Sequence, residues 1–236
     1  MKTLNQITKE LSDAVDAIHF APPVAHVYNP LSYAIRPHEQ YLTRFANSAK
    51  EVIWVGMNPG PFGMMQTGVP FGDISMVRDF LGIQGEVIPP KKQHAKRRIE
   101  GFSCQRSEVS GTRLWGYIKN KFNTPEAFFE RFYIANYCPL VFLEESGRNR
   151  TPDKLAPLER HRLFKVCDEA LEETVRVLDA KTVIGIGTFA FNRVKQIFKE
   201  SEVRIGMILH PSPASPAANR GWAEAAEKQL KKLGIS

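Results

Sequence analysis

The segment Val52-Ile53-Trp54-Val55-Gly56-Met57-Asn58-Pro59-Gly60-Pro61-Phe62-Gly63-Met64 changes character halfway. Its first four residues are uninterruptedly apolar and mostly β-branched, the pattern of a parallel strand covered on both faces. From Gly56 to Met64, three glycines and two prolines in nine residues neither extend a strand nor start a helix. The backbone is therefore bent into a fixed loop, either an ordinary turn or one whose amides point at a ligand. The turn chemistry runs on through Gln66-Thr67-Gly68-Val69-Pro70-Phe71-Gly72.

Three further apolar runs, Phe132 to Asn136, Thr182 to Ile186 and Val203 to Leu209, are each separated from the last by helical patterning. Helices are predicted over 3–19 with Thr3 as N-cap, 37–47, 73–82, 111–122, 124–131, 157–178, 188–200 and 216–233, and a proline-punctuated loop over 20–34. The fold class this predicts is α/β: a three-layer αβα arrangement with a central four-stranded parallel sheet. The 236 residues suit one domain over 1–236. In such sheets ligands sit beyond the carboxyl ends of the strands, which directs attention to GMNPGPFG, NYCP, GIGTFA and HPSP.

Hydrophobic residues make up 43% of the chain, enough to bury a substantial core, and no apolar run reaches the ~20 residues of a membrane helix. MKTLNQITKELSD carries charge where a signal peptide is apolar, so no membrane association or export is expected. Cys104, Cys138 and Cys167 are too far apart for a metal knuckle or disulfide framework, and neither a metal nor a cofactor is expected. A net charge of +7 favours polyanionic partners. The basic segment Lys91, Lys92, Lys96, Arg97, Arg98 and Arg106 holds only one acid, Glu100. With Arg148, Arg150 and Lys154 it reads either as a solvated face or as a phosphate groove.

His210-Pro211-Ser212-Pro213 follows the last apolar run, where His210 is either a loop hydrogen-bond partner or a site group, and Ser212 or Ser215 is placed for a phosphate. Gly185-Ile186-Gly187-Thr188-Phe189-Ala190 matches half of a dinucleotide fingerprint, but the region about twenty residues on reads Arg204-Ile205-Gly206-Met207, without the required acid. Close helix-strand packing explains it better than an oxidoreductase. No GxSxG, no HExxH and no spaced carboxylate pair is present.

GMNPGPFGMMQTGVPFG and HPSPASPAANRGW together resemble the two motifs of the uracil-DNA glycosylase superfamily, and of its single-strand-selective monofunctional branch in particular. VYNPLSYA (27–34), EVSGTRLWGYI (108–118), NYCPL (136–140) and SGRNRTP (146–152) extend the resemblance over most of the chain, in the family's order. The resemblance implies hydrolysis of the N-glycosidic bond of deoxyuridine after the base is flipped out, opening base-excision repair. Asn58 would orient the attacking water, and His210 would donate to uracil O2 with help from amides of the 57–60 loop. Asn136 would read O4 and N3–H, a pattern cytosine inverts, Phe71 would stack on the ring, and Met57 and Met64 would line the pocket. Gly60 stands where strict uracil enzymes carry a bulky aromatic, implying 5-hydroxymethyluracil and related oxidised pyrimidines as further substrates.

DNA contacts would come from Ser146, Gly147, Arg148, Asn149, Thr151 and Lys154, and from Ser212, Pro213, Ala214, Asn219 and Arg220. At Ala214 the family commonly has a wedging arginine, so weaker duplex invasion is expected, with Arg220 a partial substitute. The implied partners are single- and double-stranded DNA containing uracil, bound by a monomer. No lysine lies within either motif to form a Schiff base. A non-catalytic protein that binds damaged bases is the alternative, although it would need no water-positioning amide. The lack of a long basic N-terminal tail points to a bacterial cytoplasm, at the nucleoid, or to the nucleus if the source is eukaryotic.

Overall fold

The computed structural model describes residues 2–235. It opens with α1 (Leu4–Asp16), begun by a reciprocal cap: Thr3 Oγ1 accepts the Gln6 N–H while Gln6 Oε1 accepts the Thr3 N–H. The 20–34 stretch is more structured than a loop, forming β1 (His26–Tyr28) and α2 (Pro30–Tyr33). Asn29 starts α2 by accepting the Leu31 N–H, and its amide donates back to Ser12 Oγ on α1. The next helix, α3 (Ile35–Phe45), begins and ends two residues before the sequence pattern suggested.

Next come β2 (Val52–Gly56), a short helix α4 (Met64–Thr67) that sequence patterning did not reveal, and a π-helical turn at Met76–Phe80 within the segment predicted as helix 73–82. The chain continues through α5 (Val109–Phe122), α6 (Pro125–Phe129), β3 (Phe132–Asn136), β4 (Val141–Leu143), β5 (Asn149–Arg150) and α7 (Pro157–Val177). It finishes with β6 (Thr182–Ile186), α8 (Thr188–Ile197), β7 (Arg204–Ile208), α9 (Pro216–Asn219) and α10 (Trp222–Lys232). The helix expected over 216–233 is thus broken in two, because Gly221 takes φ +133°, outside helical space.

The four apolar runs form one parallel sheet in the order β3-β2-β6-β7. Every residue of β2 and β6 is buried, whereas β7 is an edge strand with exposed Arg204 and Met207. The step from β2 to β3 runs one way across the sheet and the steps to β6 and β7 run the other. Right-handed crossovers therefore send α5 and α7 to opposite faces. Contacts between helices agree: α5 meets α10 through the Tyr117 and Trp222 rings, and α7 meets α8 through the Arg193–Asp168 ion pair. The reversal lies between β2 and β6, the position at which such sheets open a crevice at their carboxyl ends.

A second sheet that the sequence pattern missed, β1-β4-β5, is antiparallel throughout. Its strands have two or three residues, too short to display an alternation of period two. It carries Asn149 and flanks the turn bearing Ser146, Gly147 and Arg148. Aromatic packing fills the main core: Trp54 meets Phe128 and Phe132 edge-on, and Phe45 stacks on Phe129 at 4.0 Å between ring centroids.

Candidate active site

Gly56 and Asn136 are register partners, so the loops leaving β2 and β3 start side by side. Pairing persists past the strands, with the Tyr137 N–H donating to Gly56 O and the Cys138 N–H to Met57 O, both at 2.9 Å. This zip delivers Asn58 to the β3–β4 connection, where its Nδ2 donates to Leu140 O at 3.1 Å. With the NH2 end committed, Oδ1 is the end of the Asn58 amide left to accept a proton from a water.

Gly56 is small because two groups lie on it. A Cβ there would stand 2.5 Å from Asn136 Oδ1 and 2.6 Å from a ring carbon of Phe71. Phe71 takes the unusual φ of +53°, in a bend where its own carbonyl accepts the Asp73 N–H. The ring is thereby aimed at the strand ends, 6.0 Å from the His210 imidazole centroid. On the far side of Asn136, its Nδ2 donates to Met64 Sδ at 3.2 Å. Met57, Asn58, Met64, Phe71, Asn136 and His210, read separately from the sequence, are gathered at one end of the parallel sheet.

His210 sits two residues beyond β7. Its Nδ1 accepts the Ser212 N–H at 3.1 Å, which fixes the tautomer with the proton on Nε2. Burial pushes its pKa down to about 4, so at neutral pH the ring is an uncharged N–H donor.

Gly60 and Gly63 face a group that sequence reasoning missed. The Glu108 carboxyl group lies where their side chains would stand: a Cβ on Gly60 would meet Oε2 at 2.3 Å, and one on Gly63 would meet Cγ at 2.9 Å. Oε2 also accepts the Phe62 N–H at 3.3 Å. Burial raises the Glu108 pKa, the Phe62 hydrogen bond lowers it, and nearby Asp73 raises it further. Asp73 in turn accepts from Ser75, Ser107, Met76 N–H and Glu108 N–H, which outweigh the cost of its own burial and hold its pKa below the usual value. Glu108 lies within EVSGTRLWGYI, yet no spacing in the sequence places it across a loop forty-six residues earlier.

Arg113 is a second unforeseen group. Its guanidinium donates to Pro211 O at 3.1 Å and to Asn219 Oδ1 at 2.9 Å, while Asn219 Nδ2 donates to Pro213 O. The 211–219 loop is therefore clamped, with Ser212 Oγ accepting the Ala214 N–H and Pro213, Ala214 and Arg220 exposed. On the other sheet, Ser146 Oγ accepts the Arg148 N–H, Asn149 Oδ1 is buried without a partner and Thr151 starts a 3-10 turn holding Lys154, which pairs with Asp153. Among the described residues, no hydrogen bond joins this loop to the residues gathered at the strand ends. GIGTFA belongs to packing: a Cβ on Gly185 would lie 2.2 Å from the Phe191 nitrogen on α8. Among the described residues no group of three or more His, Cys, Asp or Glu is placed to hold a metal ion, and no helix is long and apolar enough to cross a membrane.

This parallel sheet, with an Asn-bearing loop after its first strand and a His after its last, lies in a chain that matches a known family. Residues 43–233 match the model of the uracil DNA glycosylase superfamily, and the chain belongs to that family. Within it, the chain is 45% identical over 227 residues to the single-strand selective monofunctional uracil-DNA glycosylase of Rattus norvegicus, covering 95% of this chain and 82% of that protein. It is 45% identical over 227 residues to its Bos taurus counterpart, covering 95% of this chain and 84% of that one. The crystal structure of Pedobacter heparinus SMUG2 shares the fold, with a TM-score of 0.68, 18% identity and 97% of each chain covered.

Proposed function

We propose that this protein is a monofunctional uracil-DNA glycosylase that hydrolyses the N-glycosidic bond of deoxyuridine in DNA and so initiates base-excision repair. One observation carries the reading: the Asn58 amide, pinned through Nδ2 with Oδ1 left as acceptor, and the neutral Nε2–H of His210 stand at the same end of the sheet. The flipped base lies on Phe71 and is read by Asn136, whose Nδ2 gives to O4 and whose Oδ1 takes N3–H. The electron pair of the breaking C1′–N1 bond leaves with uracil, and the charge gathering on O2 is met by His210 and amides of the 57–60 loop. A neutral amide is a poor base, so bond breaking runs ahead of attack; Asn58 holds the water that adds to the oxocarbenium-like C1′, and the proton that water loses ends on the uracil anion.

The Asn136 amide spends its donor on the Met64 thioether in the free protein. A thioether is a weak acceptor, so exchange for uracil O4 is favourable. Cytosine would leave the amide facing groups of the wrong polarity, the kind of mismatch that gives strong discrimination. Acceptance of 5-hydroxymethyluracil follows from Gly60. The space an aromatic side chain would take there is held instead by the Glu108 carboxyl, an acceptor for a hydroxymethyl O–H. The monomer acts on single strands more readily than duplexes because exposed Ala214 offers only a methyl group to a vacated stack.

Incubating the protein with uracil-containing single-stranded and duplex DNA tests this directly. Free uracil and an alkali-labile abasic site are expected. Retention of intact DNA by folded protein would instead mark it as a binder of damaged bases.

A further inference from the structure

The mechanism leaves the basic segment 91–106 unused, although it packs against the loop that runs from Asn58 to Met64 and the helix behind it. Gln66, behind the pocket loop, donates to Arg98 O at 3.0 Å and accepts from the Glu100 and Gly101 N–H groups at 2.8 and 3.1 Å. The Tyr28 hydroxyl accepts the His94 N–H and lies 3.2 Å from Arg97 O. Gln93 Oε1 accepts the Ile99 N–H. These bonds hold the backbone of 93–101 against the loop while its cations project outward: Lys91, Lys92, Lys96, Arg98 and Arg106 are all exposed. Arg97 is half-buried and donates through Nε to Gly147 O at 3.0 Å, and His94 Nε2 is 2.9 Å from Glu145 O. The two basic stretches of the sequence are thus one surface.

The same surface reaches the pocket. Phe62, in the loop between Asn58 and Met64, has the Arg106 guanidinium 4.0 Å and the Arg97 guanidinium 5.4 Å from its ring centroid. Cation–π contact orders both heads at the lip of the loop. No carboxylate pairs with Lys91, Lys92, Lys96, Arg97, Arg98 or Arg106 among the described residues, although other surface cations such as Lys2, Lys9, Arg78 and Arg131 do have such partners. A row of cations on a braced backbone, unneutralised and beginning at the rim of the base pocket, is matched by regularly spaced phosphates.

We infer that the Lys91–Arg106 rim, continued through Gly147 to Arg148, binds the sugar-phosphate backbone of an unpaired DNA strand beside the excised nucleotide. This rests on the glycosylase reading for the position of that nucleotide. A rim of this kind supplies affinity without needing a wedge, in keeping with Ala214 in the 211–219 loop.

The test replaces Lys91, Lys92, Lys96 and Arg98 with Gln together and measures affinity for a uracil-containing single-stranded oligodeoxynucleotide across a salt series. A matched control replaces Lys195, Lys199, Lys228 and Lys232, exposed residues on or just after α8 and on α10, removing the same charge. The rim variant should bind about tenfold or more weakly at physiological salt, with the slope of log K against log salt shallower by about 0.7 per lost phosphate contact. The control should resemble the parent. Equal affinities and slopes in the two variants overturn the proposal. If the parent releases no uracil but the slope still falls in the rim variant alone, the glycosylase reading fails and the rim stands.

Discussion

Among the described residues no cation pairs with Glu108, which lies against two glycines, so its carboxyl group is part of the loop's shape. Gly60→Ala should therefore slow uracil release, because the new methyl would meet Oε2 at 2.3 Å. Removing the carboxyl group as well, in Gly60→Ala with Glu108→Ala, should recover part of the loss. A double-mutant cycle on single-turnover rates should give a coupling of about 1 kcal/mol or more, and simple additivity would count against the packing described. Asn58, Asn136 and His210 were legible because they stand at the carboxyl ends of apolar runs, which drew attention to their motifs, and the family resemblance supplied the role expected of each. Glu108 and Arg113 were not, since their partners are backbone groups forty-six and about a hundred residues away and no charge pattern announces them.

Among the elements, β6 and α8 approach so closely that a methyl at Gly185 would lie 2.2 Å from the Phe191 nitrogen and 2.3 Å from its Cα. Neither atom moves unless the helix moves. Gly185→Ala should cost about 1–3 kcal/mol in denaturant unfolding, without introducing any response to NAD. The loop between β7 and α9 makes a functional prediction: Ala214→Arg should raise activity on paired uracil relative to single strands, and an unchanged ratio would remove the wedge argument. The long elements showed in the sequence because apolar spacing repeats over several turns, as in the buried Leu163, Cys167, Leu171 and Val175 of α7. The strands β1, β4 and β5 are shorter than any repeat, and the break at Gly221 is a backbone feature inside an unbroken amphipathic pattern.

For the molecule as a whole, two buried imidazoles link stability to pH. Burial holds both His38 and His210 down to about 4, well below the ordinary 6.5. Their neutral forms contribute stability that is fully present above pH 6.5 and is lost as pH falls through 4. Each is worth up to about 3 kcal/mol by the difference in pKa. Glu108, whose pKa burial raises, works in the opposite sense. Denaturant midpoints should therefore decline between pH 6.5 and 4, and His38→Gln should flatten part of that decline. The central claim is that Asn58 and His210 carry out the bond cleavage on a strand the rest of the protein holds. Its most direct test is the single-turnover rate of uracil release from saturating single-stranded DNA by the parent, Asn58→Ala and His210→Ala. Release by the parent is expected, with a loss of about a hundredfold or more in each variant, the scale of a lost transition-state donor at His210 and of a lost water-positioning acceptor at Asn58, and with strand affinity little changed. Release at the parental rate by either variant, or none by the parent, would contradict it.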